Sequence, residues 1–113
     1  IKPYNMNLTN EKKNEFCVLN IEGRIDTTNF SQFENEINTL FNAGEKNLVF
    51  DCSGLNYISS SGLRVFLIAQ KKTLSFNGKL HLCNLQPSIK EIFDISGFSS
   101  IFKIFDNQEK AIQ

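Results

Sequence analysis

Asp51-Cys52-Ser53-Gly54-Leu55-Asn56-Tyr57-Ile58-Ser59-Ser60-Ser61-Gly62-Leu63-Arg64 is the stretch on which the fold turns. Just upstream, Leu48-Val49-Phe50 is a continuous apolar run of the kind buried on both faces of a sheet, so a strand is expected over Lys46–Asp51. Ser53-Gly54-Leu55-Asn56 reads as a loop. Ser59, Ser60 or Ser61 then caps a helix that runs to about Phe76 and stops at Asn77-Gly78. Three serines and a glycine thus fall between a strand end and a helix start. In open α/β sheets, ligands and partners engage at such strand-end loops. The free backbone donors of a helix start also favour anions, phosphate included. A single capping serine with two incidental neighbours would produce the same string.

Outward from this segment, the hydrophobic period switches repeatedly between two and 3.6. Tyr4 to Thr9 alternates, Asn10 to Asn14 is a polar turn, and Phe16 to Ile21 is a second strand ended by Gly23, so the chain opens on a hairpin. In that second strand Phe16 and Val18 share one face, and Cys17, Leu19 and Ile21 the other. Phe30, Phe33, Ile37, Leu40 and Phe41 form the apolar stripe of a first helix, with Asp26, Thr27 or Thr28 as its cap and Gly44 after its end. Beyond the serine helix, Lys79 to Leu85 sets Leu80 and Leu82 against His81, Cys83 and Leu85, a strand. Pro87 opens a third helix carrying Ile89, Ile92, Phe93 and Ile95 and ending near Gly97. Ile101 to Phe105 is a last strand, and Asp106 caps a short tail helix. The order is ββαβαβαβα, a single α/β domain over residues 1–113 with helices covering a mixed β-sheet.

Composition narrows the function. Twelve basic and twelve acidic residues among 113 give a net charge of zero, which argues against nucleic-acid binding, where a basic surplus must displace counterions. The longest apolar stretch, Val65 to Ala69, is far too short for membrane insertion, and no basic start followed by an apolar run marks a signal peptide. Cys17, Cys52 and Cys83 are an odd number with no close pair and form no disulfide framework. A soluble domain of a reducing compartment, the cytoplasm, is expected. His81 is the one histidine, no metal cluster or cofactor motif suggests itself, and no nucleotide-binding or nucleophile-elbow pattern occurs. Catalysis has no support.

The serine segment resembles the signature of the sulphate-transporter-and-anti-sigma-antagonist (STAS) family, in which a strand ending in Asp leads to an Asp-Ser-Ser-Gly-Leu type loop and helix. Gly23-Arg24-Ile25-Asp26, followed by Thr27-Thr28-Asn29, is similar to the family's turn before its first helix. Phe93-Asp94-Ile95-Ser96-Gly97-Phe98 and Ile101-Phe102-Lys103-Ile104-Phe105 are similar to its helix-glycine-strand close. The resemblance covers nearly the whole chain. It implies an anti-sigma factor antagonist, which binds an anti-sigma factor that is also a serine kinase and so releases a sigma factor. It also implies a phosphoacceptor at Ser60, with Ser59 and Ser61 as rivals, and a serine phosphatase that restores binding. The residue before the acceptor, often Asp in the family, is Ser59 here.

The helix after the serines adds a docking expectation. At roughly 100° per residue, Leu63, Phe66, Leu67 and Leu74 gather on one arc and should face the sheet. Val65 and Ile68 fall opposite, beside Ser61, Arg64 and Lys72. The expected partner surface is therefore Ser59, Ser60, Ser61, Gly62, Arg64, Val65 and Ile68, completed by Asp26, Thr27 and Thr28. Two other jobs fit the chain: an accessory STAS domain of a transporter or lipid-trafficking complex, and a nucleotide-binding or hydrolytic domain using the serine loop.

Overall fold

Asn14 adopts a left-handed backbone, φ 55°, and so closes a tight hairpin between β1 (Met6–Lys13) and β2 (Phe16–Ile25). The structure is a computed structural model and describes residues 6–113, so the expected alternation at Tyr4 and Asn5 lies outside the described residues. The polar run Asn10–Lys13, expected as turn, is strand instead. It lies on an edge strand and faces solvent, where polar residues are tolerated and discourage further pairing. The chain continues through α1 (Phe30–Asn42), β3 (Asn47–Ile58), α2 (Ser60–Ser75), β4 (Lys79–Cys83), α3 (Pro87–Ser96), a 3₁₀ turn (Phe98–Ser100), β5 (Lys103–Phe105) and α4 (Gln108–Ala111). The expected order ββαβαβαβα is the observed one.

The five strands lie in sequence order, β1 antiparallel to β2 and the rest parallel. Strand β3 is central and longer than its apolar run. Ser53 to Asn56, expected as a loop, keeps pairing with β2 through Gly54↔Glu22 and Leu55↔Gly23, with irregularities in register on either side. Gly54 permits this close approach, because a Cβ there would lie 2.8 Å from the Glu22 side chain.

Helices α1, α2 and α3 cover one face. Phe33, Phe50, Phe66, Phe93 and Phe102 meet there edge-on or tilted, their ring centroids 5.2 to 6.3 Å apart. Cys17, Leu19, Ile21, Leu80 and Leu82 supply the sheet side of that core, as their alternation required. The other face carries a small cluster of Phe16, Val18, Val49 and Cys83 under Ala111 of α4.

Several expected boundaries move. Asn29, not Asp26, Thr27 or Thr28, is the N-terminal cap residue of α1. Leu85 lies beyond the end of β4. Ile95 is 80% exposed, so the buried stripe of α3 is Ile89 and Phe93 with Ile92 at its margin. Ile101 precedes β5, and Asn107 rather than Asp106 caps α4, its side chain accepting from the Lys110 N–H at 2.9 Å.

Candidate functional site

The C-terminal ends of β2 and β3 run side by side, Arg24 paired with Tyr57 and Ile25 with Ile58. One residue on, the Ser59 N–H donates to the Ile25 carbonyl at 2.9 Å, which ties the α2 start to the end of β2. Ser59 is extended, as a cap residue must be, and its Oγ accepts from the Gly62 N–H at 3.2 Å. Its hydroxyl also meets that of Ser61 at 2.7 Å. Two of the three serines are therefore engaged with each other and with the helix end. Ser60, the first residue of α2, is exposed, and its hydroxyl has no partner among the described residues.

Gly62 belongs to the foundation of the site rather than to its surface. It is buried, and a Cβ there would stand 2.8 Å from both Ile25 Cγ2 and Ile58 Cγ1. The glycine thus lets the first turn of α2 sit directly on the two strand ends, which fixes where Ser60 projects.

The turn before α1 comes to the same end of the sheet. Asp26 Oδ1 accepts from the Thr28 N–H at 2.9 Å and from the Thr28 hydroxyl at 2.6 Å, while Oδ2 accepts from Arg24 Nε at 3.0 Å. The Thr28 hydrogen bonds and the Arg24 guanidinium hold the Asp26 carboxyl below its usual range, so it stays ionised. Buried Asn29 locks the turn: its Nδ2 donates to the Arg24 carbonyl and its Oδ1 accepts from the Asp26 N–H, both at 2.9 Å. The Arg24 guanidinium in turn lies over the Tyr57 ring, 4.2 Å from its centroid, and Tyr57 is 42% exposed. Arg24, Asn29 and Tyr57 escape a reading by hydrophobic period, because their roles come from pairing across two strands. Tyr57, an aromatic residue at an outward position next to Ile58, was the one available signal.

Along α2 the expected docking face is partly wrong. Arg64 is exposed and Ile68 is 37% exposed, as expected, but Val65 is 3% exposed and belongs to the main core. Leu74, expected against the sheet, is 63% exposed. The reason is α1. It packs beside α2 and covers the Val65 side, so the buried face of α2 is Val65, Phe66, Ala69 and Thr73, turned away from the arc that the sheet alone would select. Ile68 stays at the rim of a shallow crevice between the helices, near Glu34, Asn38 and Lys72.

The remaining polar residues with chemical potential are structural. Asp51 is buried and accepts from the Ser53 N–H at 3.0 Å, Asn84 Nδ2 at 3.3 Å and Gln108 Nε2 at 2.7 Å. Burial raises all three thiols, Cys83 up to about 12 and Cys52 well above its ordinary value, so none is a ready nucleophile. His81 is buried between Phe16 and Phe105, its Nδ1–H donating to the Ala111 carbonyl at 2.8 Å. Among the described residues, no group of three or more His, Cys, Asp or Glu could hold a metal, and no helix is long and apolar enough to cross a membrane.

Comparison with known proteins agrees with this geometry. BtrV of Bordetella bronchiseptica, provisionally named an anti-sigma factor antagonist, is 39% identical over 106 residues, 94% of this chain and 91% of that protein. Among solved structures, an anti-sigma factor antagonist from Mycobacterium paratuberculosis superposes with a TM-score of 0.86 at 19% identity, covering 95% of this chain and 91% of that one. The Bacillus cell fate determinant SpoIIAA in its phosphorylated form gives 0.73 at 22% identity, covering 94% and 96%. At these identities the two structures speak for the fold alone. The STAS domain model matches residues 7–111, and with the hairpin, the parallel sheet and the serine-started helix in place, the chain belongs to the STAS domain family.

Proposed function

We propose that this protein is an anti-sigma factor antagonist: it binds an anti-sigma factor that is also a serine kinase, releases the sigma factor by doing so, and is switched off when Ser60 is phosphorylated. The observation that carries this reading is the division of labour among the three serines. Ser59 and Ser61 are hydrogen-bonded at the α2 start, whereas Ser60 is exposed with its hydroxyl unengaged among the described residues. Ser59 fills the cap where relatives often carry Asp, and serine caps a helix about as well as aspartate does. The 39% identity to BtrV over 91% of its length favours the small antagonist type over an accessory domain of a transporter.

The switch is electrostatic. A phosphate on Ser60 adds roughly −1.5 to −2 charge and three strong acceptor oxygens at the α2 N-terminus. That position suits the helix, since the backbone donors face the anion and Arg64 stands one turn on. The modified protein therefore keeps its fold. A docked partner meets new charge in a surface it must desolvate, close to the ionised Asp26, and burial of that charge opposes binding. The protein works by docking rather than catalysis, in the cytoplasm, and a serine phosphatase resets it.

The test is capture from lysate of the source organism on wild-type, Ser60→Ala and Ser60→Glu baits, with phosphosite mapping after incubation with ATP. Wild type and Ser60→Ala should retain a kinase-type anti-sigma factor, Ser60→Glu should lose it, and phosphate should map to Ser60. Phosphate on Ser59 or Ser61, or identical capture by all three baits, overturns the switch.

A further inference from the structure

At the end of the sheet opposite Ser60, a groove of about 460 Å³ opens beside the edge strand β5. Its walls carry Lys79, Lys103 and Lys110, with His81 and Phe105 beneath and exposed Leu74 at the rim. Among the described residues no acidic side chain lines it, in a chain whose net charge is zero. The lysines converge for a reason rooted in register. Lys103 pairs directly with His81, and Lys79 lies two residues before His81 on β4, so all three side chains leave the same face of the sheet.

Like charges on adjacent strands repel. Lys79 and Lys103 have no ion-pair partner among the described residues, and Lys110 has only the exposed Asp106 at 3.8 Å. Lysine on an edge strand commonly blocks unwanted pairing. That role would account for Lys103 and for Lys79, where β4 runs past the start of β5, but not for Lys110 on α4 nor for the cavity among the three. The volume lies in the range of small-ligand sites. The cations are ammonium groups without any guanidinium fork, which suits the point-charge recognition of phosphate better than planar carboxylate.

We propose that this groove is a binding site for a small phosphate-bearing anion, its phosphates held by Lys79, Lys103 and Lys110. The site is independent of the Ser60 switch, because it sits at the starts of β4 and β5 rather than at the ends of β2 and β3. His81 is a built-in reporter. Burial, followed by Lys103 and Lys79, lowers its pKa, and among the described residues its ring bonds only the Ala111 carbonyl. An anion between the lysines would offset their field and move that pKa back up.

Since His81 is the single histidine, its imidazole resonances in the whole chain can be followed without ambiguity while tripolyphosphate, pyrophosphate or ADP is added at constant ionic strength. The expected result is a saturable resonance change with a rise in the His81 pKa. The Lys79→Gln/Lys103→Gln double variant should weaken binding by about tenfold or more, as loss of two charge-assisted contacts implies. Lys71→Gln, a charge change on the exposed side of α2, should leave it unchanged. Tighter binding of ADP than of pyrophosphate would assign a nucleotide whose base rests on Leu74 and Phe105; equal binding would assign the phosphate chain alone. A response that never saturates, follows ionic strength, or persists in the double variant overturns the site. Circular dichroism of the double variant confirms that these exposed changes leave the fold intact.

Discussion

Helices α2 and α4 lie on opposite faces of one sheet and are held by different forces. The 16 residues of α2 sit on Val65, Phe66 and Ala69, buried in the phenylalanine-rich core. Beyond the cap, its hydrogen bonds to other elements are exposed ones, from Gln70 to the Ile101 carbonyl and from Lys72 to Asn38. The four residues of α4 bury only Ala111 and depend on polar contacts: Gln108 donates to Asp51 at 2.7 Å and accepts from Lys13, Asn14 donates to the Ile112 carbonyl at 3.1 Å, and His81 donates to Ala111. Apolar packing is insensitive to a proton or a phosphate at the surface, whereas a hydrogen bond to an ionisable ring is not. A helix held like α2 is a base on which a charge switch can sit without unfolding the protein. A helix held like α4 is where solution conditions reach the fold.

The sharpest way to break the contrast is Phe66→Ala. Phe66 touches Phe33, Phe50, Phe93 and Phe102, so its removal should cost about 3–5 kcal/mol by cavity formation, read as a lower denaturant midpoint. On the other face, Gln108→Ala removes the donor to the buried Asp51 carboxylate and should cost about 1–3 kcal/mol, well above the value for an exposed polar residue. Equal losses at the two sites would erase the distinction.

Within α2, Ser59→Ala should lower stability by about 1 kcal/mol through loss of the cap. Ser60→Ala should stay within about 0.5 kcal/mol of wild type, as expected for an exposed residue whose hydroxyl has no partner among the described residues. Thermal melts of the pair measure how cleanly capping and switching are divided between neighbours. The smallest effect belongs to His81. Its pKa is lowered in the folded protein, mainly by burial, so the unfolded chain binds the proton more readily. The stabilisation is complete above the ordinary value of 6.5 and declines as pH falls through it towards the lowered folded value. A melting temperature that drops on acidification below that point, with a shallower drop in His81→Gln, is the expected signature.

The α2 wheel shows how far local patterning reaches. Its period is correct, and Phe66 points inward as expected, yet Val65 and Leu74 exchange their assigned surroundings. The apolar period of one helix marks its most apolar arc but not which neighbour covers it. Here α1 adds a second wall, so the buried face lies between sheet and helix. The Ser53–Asn56 segment teaches the same thing: turn-forming composition marks it as loop, and pairing with the bulged end of β2 keeps it in the sheet. The serine cluster itself was legible, since capping chemistry and the strand-to-helix transition are local. The Arg24–Asp26–Tyr57 arrangement was not, because it needs residues far apart in sequence to come side by side.

The sequence by itself determined the element order, the two faces of β2 and β4 and the place of the serines at a helix start. These follow from side-chain period and backbone capping, which act over a few residues. Tertiary structure alone decided that Ser60 is the unengaged serine, that Val65 is core while Ile68 is rim, and that Lys79, Lys103 and Lys110 share one groove. Each of those outcomes depends on which distant surfaces meet, and burial and charge are properties of the assembled neighbourhood rather than of the residue.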